Sequence, residues 1–395
     1  MDPNIFIPSY RLLTLDHRTQ QKLEYILKNK SVVSLSIMPD IADDGLILSG
    51  VSFQSNSVLL PLAAGSDIGC GYRVLALDKY KREMLELERK INDLSDLVKP
   101  KKNDELVLNL FSLFWNREFD ELSSHFLREK IRNHDIPNFP VMTSTHLPRD
   151  AFLSAWGNIA IGNHFLEFRE VSNVFDEDIA RDLGIYRNQI LIHLHSGAGQ
   201  EIEHQFLIYF GRFFQDFKKN KLYFNDNIGY EVTAAIDCEL AQSFLSDCAL
   251  SMSFSAFNRS LISLQLQNML SIEVNDLFDV YHDGMILENH TVVSQKGIQK
   301  YSTVGNHSIA IIPGSLNDKS YIVKSTGKSL YINHGTGEGP NGSNPNTNGV
   351  LTNLMNPINR KYYNIQETIN FCEENGLIEI IAELSPWISI KREKK

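Results

Sequence analysis

Through the first fifth of the chain apolar residues come in short bursts rather than long periods. After a stretch at helical spacing over 18–29, "VVSLSIMP", "LILSGVSF", "SVLLPL" and "YRVLALD" are aliphatic runs punctuated by Gly, Asp and Pro, which predicts short strands. Charged residues then interleave with Leu and Ile over 79–97, and apolar periodicity continues to about residue 131, predicting two helices. A strand at 164–170, a helix at 175–184, a strand at 189–195 and long helices over 200–218 and 233–272 follow. Short strands return between Asp279 and Leu330, and a helix at 364–374 and a strand at 377–383 close the pattern. The stretch "GTGEGPNGSNPNTNG" at 335–349 is too rich in Gly, Asn and Pro to hold regular structure and reads as a flexible loop. Strands and helices interleave without a βαβ rhythm, so the expected class is α+β, with central β-structure flanked by helices. No repeat with a period of about 20–50 residues emerges, which argues against a solenoid.

Composition adds limits. An apolar fraction of 43% over 395 residues is ordinary for a compact globular protein. No run approaches the roughly 18 apolar residues of a membrane helix, and "MDPNIFIPSYR" lacks a signal-peptide pattern. The expectation is a cytoplasmic protein with no membrane partner, and a monomer. The net charge of −10 argues against a protein that coats nucleic acid, while leaving room for a local basic groove. The clusters "KYKREMLELERK", "LVKPKKND", "FKKNKL" and the tail "IKREKK" read as solvated helix faces and ends. Four scattered cysteines do not make a disulfide framework. Cys238, Cys248 and Cys372 sit in helical-looking stretches as small hydrophobes. Cys70 alone has polar, glycine-rich company.

That company is "AAGSDIGCGYRVLAL" (63–77), where Asp67 and Cys70 precede a strand. Among twelve histidines, His164 in "IGNHFLEF", His195 in "ILIHLHSGAG", His282 in "DVYHDGMILE" and His334 in "SLYINHGTGEG" each end an apolar run where small polar residues take over. Rigid strands hand side chains to a cleft at such places. A lone histidine at a strand end is ordinarily structural, but one carboxylate, one thiol and several imidazoles together can hold one or two transition metals, the thiolate bridging them. Ligand softness puts zinc first, with manganese or cobalt behind. His193, on the same strand face as His195, is a rival ligand, whereas His204, His290 and His307 read as surface or core. "IIPGSLNDKSY" (311–321) is a turn whose N–H groups and serines suit a phosphate or nucleobase. "GTGEG" lacks the spacing of a phosphate-binding glycine loop.

The ordered series "MPD" (38–40), "DIGCG" (67–71), "GNHFLE" (162–167), "HSG" (195–197), "AFNR" (256–259), "YHD" (281–283), "QKG" (295–297), "IPGS…S" (312–320) and "HGTG" (334–337) resembles the RtcB family of RNA ligases, from about residue 35 to 383. The resemblance implies a single RtcB-like catalytic domain over 1–395. It also implies a ligase that joins RNA 3′-phosphate or 2′,3′-cyclic phosphate ends to 5′-hydroxyl ends, in RNA repair or tRNA splicing, with GTP and two manganese ions as cofactors. It makes His334 the catalytic nucleophile that takes up guanylate. One manganese would be held by Asp67, Cys70 and His164, the other by Cys70, His195 and His282, so manganese displaces the zinc expectation. Nucleotide contacts are implied for Asn163, His164, Phe165, Leu166, Glu167, His282, Asp283, Pro313, Gly314, Ser315, Leu316, Ser320, His334, Gly335, Thr336, Gly337 and Tyr363.

This chain departs from the family pattern in several places. Ala42 stands where a histidine is expected after "MPD", and "HSGAGQ" lacks the arginine usual beside the histidine. Asp283 replaces an asparagine, Gln295 an arginine and Glu338 a cation, while Tyr363 occupies the place expected of a guanine-contacting lysine. Each lost arginine removes a bidentate phosphate partner. Two rivals follow: a metal-dependent phosphoesterase or nucleotidyltransferase of the same fold, and a non-catalytic nucleotide-binding relative.

Overall fold

The protein's structure, a computed structural model, describes residues 4–6, 15–45, 47–80, 88, 104–128, 131, 146–219, 232–336, 351–352 and 363–391. In chain order the strands are β1 (Asn4–Phe6), β2 (Val32–Asp44), β3 (Ile47–Asn56), β4 (Val58–Leu59), β5 (Gly71–Tyr80), β6 (Phe165–Val174), β7 (Gln189–Ser196), β8 (Ala234–Ala235), β9 (Val274–Tyr281), β10 (Gly284–Glu288), β11 (Thr291–Lys296), β12 (Ile298–Lys300), β13 (Ser302–Val304), β14 (His307–Ile312), β15 (Ser320–Ser325), β16 (Tyr331–Asn333), β17 (Leu351–Thr352) and β18 (Ile378–Ile390). The helices are α1 (His17–Lys28), α2 (Glu105–Trp115), α3 (Phe119–Arg128), α4 (Arg149–Ala155), α5 (Glu177–Asp182), α6 (Gln200–Lys219), α7 (Glu239–Leu270) and α8 (Ile365–Glu374).

A large mixed sheet runs β13-β14-β15-β18-β6-β7-β5-β9, with β17 pairing alongside β18, and a smaller sheet runs β1-β2-β3-β11-β10. The α+β expectation holds. Alternation splits the large sheet's side chains between two cores: Leu75, Leu77, Leu166 and Ile192 enter one, Val74, Ala76, Leu191 and Tyr72 the other. β7 is buried along its whole length, as a central strand covered on both faces must be.

Against the first face lies α7, buried almost completely from Asp247 to Leu266. Its serines survive there because their hydroxyls donate back one turn, Ser255 to the Ser251 carbonyl (2.9 Å) and Ser263 to that of Arg259 (2.8 Å). Small side chains also let other backbone approach. Asp16, Asp104, Asp176 and Asn364 cap α1, α2, α5 and α8 by accepting first-turn N–H groups.

Three expectations shift. "SVLLPL" yields only the two residues of β4, because Pro61 opens a 3₁₀ turn over Pro61–Ala64. The long helix begins at Glu239 rather than 233, its expected first turn being spent on β8. β18 extends seven residues past the expected strand end at 383, since Pro386 falls where the register with β6 slips, between Pro386 and Ile388. Residues 79–80 of the helix expected over 79–97 belong instead to β5, and the rest of it, residue 88 apart, lies outside the described residues with the body of the 335–349 loop.

Candidate active site

Antiparallel pairing sets Gly71 opposite both Ser196 and Tyr281, Tyr72 opposite His195, and Phe165 opposite His195 from the other side. Cys70 immediately precedes β5, His164 precedes β6, His195 is the penultimate residue of β7 and His282 follows β9. Register alone therefore gathers four strand ends at one edge of the large sheet. The loop carrying Asp67 and Cys70 is pinned by N–H bonds from Cys70 to Asp67 O (3.0 Å) and from Gly69 to Asp283 O (2.8 Å). Beneath it the Arg259 guanidinium donates to Gly69 O (2.9 Å) and Ser196 O (2.7 Å) while pairing with Asp279. Gly197 admits the Asp67 carboxylate: a Cβ there would lie 2.2 Å from Asp67 Oδ1.

The five expected metal ligands converge. Cys70 Sγ lies 3.2 Å from His164 Nε2 and 3.0 Å from His195 Nε2, His164 Nε2 is 2.9 Å from Asp67 Oδ2, and the Nε2 atoms of His195 and His282 are 3.3 Å apart. The ligand atoms of Cys70, His164 and His195 fall within 4.8 Å of one another, all buried. Burial drives His195 and His282 well below the ordinary imidazole range, helped by neighbouring cations and imidazoles, so both are neutral near pH 7. Burial opposes charge on His164 too, but the Asp67 carboxylate outweighs it and raises the ring. Asp67 is lowered although burial pushes it up, because His164 and Lys296 prevail.

His164 donates from Nδ1 to Ile161 O (3.1 Å), which turns Nε2 toward the Asp67 carboxylate and the Cys70 thiol. Two neutral imidazoles facing each other nitrogen to nitrogen can share one proton at most, and the buried Asp67 Oδ1 has no hydrogen-bond partner. Burial first, then the charges of Asp67 and Asp283, push the Cys70 thiol well up. A cation among these donors would satisfy the lone pairs and hold the thiol as thiolate, so the Cys70, His164 and His195 set is one that could hold a metal ion.

Beside this cluster, His334 follows β16, whose pairing with β12 sets Asn333 opposite Ile298. Its Nδ1 lies 2.8 Å from Asp40 Oδ2, and its ring centroid is 5.1 Å from that of His282. Burial would lower this imidazole, but the hydrogen bond and charge of Asp40 raise it above the ordinary value. His334 forms part of the wall of a cavity of about 260 Å³ that also touches Asp40, Ala42, Tyr72, Asn163, Phe165, Glu167, His195, His282, Asp283, Lys296, Pro313, Gly314, Ser315, Leu316, Gly335, Thr336 and Lys391.

Most expected nucleotide contacts thus share one cleft. Leu166 does not: strand alternation turns it from Phe165 and Glu167 into the main core. His164 lies behind the cleft in the donor cluster. Ser320 supports rather than lines, its buried hydroxyl accepting the Gly314 N–H at 3.1 Å. Tyr363 is half-buried just ahead of the α8 cap and is not among the cleft-lining residues. Gly337 and Glu338 fall outside the described residues. His193 is buried in β7 between Tyr72 and Phe165, with neither ring nitrogen hydrogen-bonded, so the thiol's partner on this strand is His195.

Sequence reasoning missed several groups. Asp40 and Lys296 belong to quoted motifs but received no role, and Lys296 pairs with Asp283 at 2.8 Å and Asp44 at 3.4 Å. Lys391, assigned to a solvated tail, lines the cleft with its ammonium 5.7 Å from the Phe165 ring centroid. A lysine is thus present in the cleft, supplied by the end of β18 rather than by position 363. Glu203 on α6 feels the donor cluster: burial and the Asp67 charge push its carboxyl up to about 7. Among the described residues that line the cleft there is no arginine.

Comparison with known proteins adds an independent line. A family model described as tRNA-splicing ligase RtcB matches residues 23–339. The chain is similar to a tRNA-splicing ligase RtcB from Nanoarchaeum equitans, 26% identical over 393 residues covering 88% of this chain and 79% of that protein. It is also similar to a tRNA-splicing ligase RtcB from Archaeoglobus fulgidus, 25% identical over 85% of this chain and 79% of the relative. An RNA-splicing ligase RtcB2 from Escherichia coli is 24% identical over 76% and 67%. No described helix is long and apolar enough to cross a membrane.

Proposed function

Because this chain belongs to the RtcB family, we propose that it is a GTP- and manganese-dependent RNA ligase joining 3′-phosphate or 2′,3′-cyclic phosphate ends to 5′-hydroxyl ends. The observation that carries the reading is His334, held by Asp40 at 2.8 Å on the wall of a cleft shared with His195 and His282 of a thiol-centred donor cluster.

The Asp40 carboxylate accepts the Nδ1 proton and so leaves the Nε2 lone pair free once Nε2 is unprotonated. His334 Nε2 attacks the α-phosphorus of GTP; the N–P bond forms, the bond to the β-phosphate oxygen breaks, and pyrophosphate leaves with the electron pair. An oxygen of the RNA 3′-phosphate then takes the guanylate, releasing His334. The 5′-hydroxyl attacks the activated RNA phosphate and expels GMP, its proton passing to solvent. A cyclic phosphate is first opened by water to the 3′-phosphate. Manganese ions held by Asp67, Cys70 and His164, and by Cys70, His195 and His282, would polarise the phosphates and offset developing charge. The turn at Pro313–Leu316, propped by Ser320, and Lys391 with Phe165 suit nucleotide phosphate and base.

Purified protein incubated with Mn²⁺ and α-³²P-labelled GTP is expected to carry an acid-labile, base-stable label that His334→Ala abolishes, and to seal a 3′-phosphate RNA to a 5′-hydroxyl RNA. Label without sealing would leave a nucleotidyltransferase and remove the ligase. Absence of label would remove both. ATP run in parallel reads base choice.

A further inference from the structure

Tyr72 stands two residues beyond Cys70 on β5 and enters none of the steps above. Its hydroxyl donates to the main-chain carbonyl of His334 at 2.5 Å. Its ring packs on His195 and His282 at centroid distances of 4.8 and 4.6 Å, with His193 on a further side at 4.8 Å. The residue is 3% exposed and forms part of the cleft wall. One side chain therefore touches two imidazoles of the donor cluster and the backbone of the candidate nucleophile.

We propose that Tyr72 is a positioning residue that ties the His334 segment to the ligand-bearing strands, so that filling the donor cluster fixes the nucleophile's main chain. The proposal rests on the reading of His334 as the nucleophile. His334 is held at two points from two sheets, its ring by Asp40 on β2 and its carbonyl by Tyr72 on β5. A ring held at Nδ1 alone still swings with its backbone, and an error of an ångström at Nε2 is costly in an in-line displacement. A phenol suits the task because its ring packs on both imidazoles while its hydroxyl reaches the His334 carbonyl. A serine would not span the gap, and a carboxylate would compete for the cations.

Tyr72→Phe removes the hydroxyl and keeps the ring packing; Tyr72→Met fills the space without a ring and guards against a variant that fails to fold. Single-turnover guanylate transfer is expected to slow about tenfold in both, the scale of one lost neutral hydrogen bond, with KM for GTP and bound manganese per chain unchanged. Hydrogen exchange supplies a readout free of the chemistry: Mn²⁺ is expected to slow exchange at residues 333–336 in the native protein and much less in Tyr72→Phe. Equal transfer rates with equal manganese-induced protection overturn the proposal. A matched loss of bound manganese also overturns it, since Tyr72 would then merely support the ligands. If the native protein takes no guanylate label, the functional reading fails and the exchange comparison still decides whether Tyr72 couples the two segments.

Discussion

At the scale of single residues, Asp40 sets the His334 imidazole apart, holding its Nδ1 at 2.8 Å and raising it above the ordinary value. Asp40→Asn should slow guanylate labelling about a hundredfold or more, the usual range for a group that fixes proton location in a reacting base, with manganese content unchanged. Because Asp40 raises the His334 imidazole, its loss lowers that pKa, so the acid limb of the labelling profile should move to lower pH. A rate profile across about pH 5 to 9 reads both effects. Asp67, Cys70 and the histidines were legible in the sequence because each is bracketed by glycine or polar residues where an apolar run begins or ends. Leu166 was misplaced because a contiguous motif was mapped onto a strand whose neighbouring side chains face opposite ways. Lys391 was invisible, since nothing in "IKREKK" says that the strand before it pairs with β6.

The donor cluster depends on elements as much as on ligands. Arg259 on α7 clamps two carbonyls, one from the Asp67–Cys70 loop and one from the end of β7, and its charge is met by Asp279 on β9. Arg259→Met would leave Asp279 buried with one cationic partner fewer, Arg73 remaining at 3.1 Å. The expected cost is about 3–5 kcal/mol, read as a fall in the urea midpoint, together with loss of manganese binding. The sequence marked "AFNR" as a motif, but why an arginine belongs there is a matter of packing: α7 must be buried and its serines small before a guanidinium reaches both carbonyls.

For the molecule as a whole, ions bound to the native fold alone should stabilise it. At a free Mn²⁺ concentration about a hundred times its Kd, each site adds about 2.7 kcal/mol, seen as a rise in Tm over chelator-treated protein. Gly197→Ala, whose added Cβ would meet Asp67 Oδ1 at 2.2 Å, should abolish most of that rise. The fold class was legible from the alternation of short strands with helices. The order of strands in the large sheet was not, because β18, the last strand among the described residues, pairs between β15 and β6, and the sequence carries no local signal for so distant a partner.

That late strand also has a history during synthesis. All five donor residues and the strands that carry them precede Ile378 in the chain, so the β6-β7-β5-β9 half of the sheet is made while one flank of β6 still has no neighbour. Open edges of this kind recruit other chains. A polypeptide stopped before Ile378 should sediment as aggregates where the chain carrying β18 stays in the supernatant, which would make β18 the guard that shields β6 from sibling molecules.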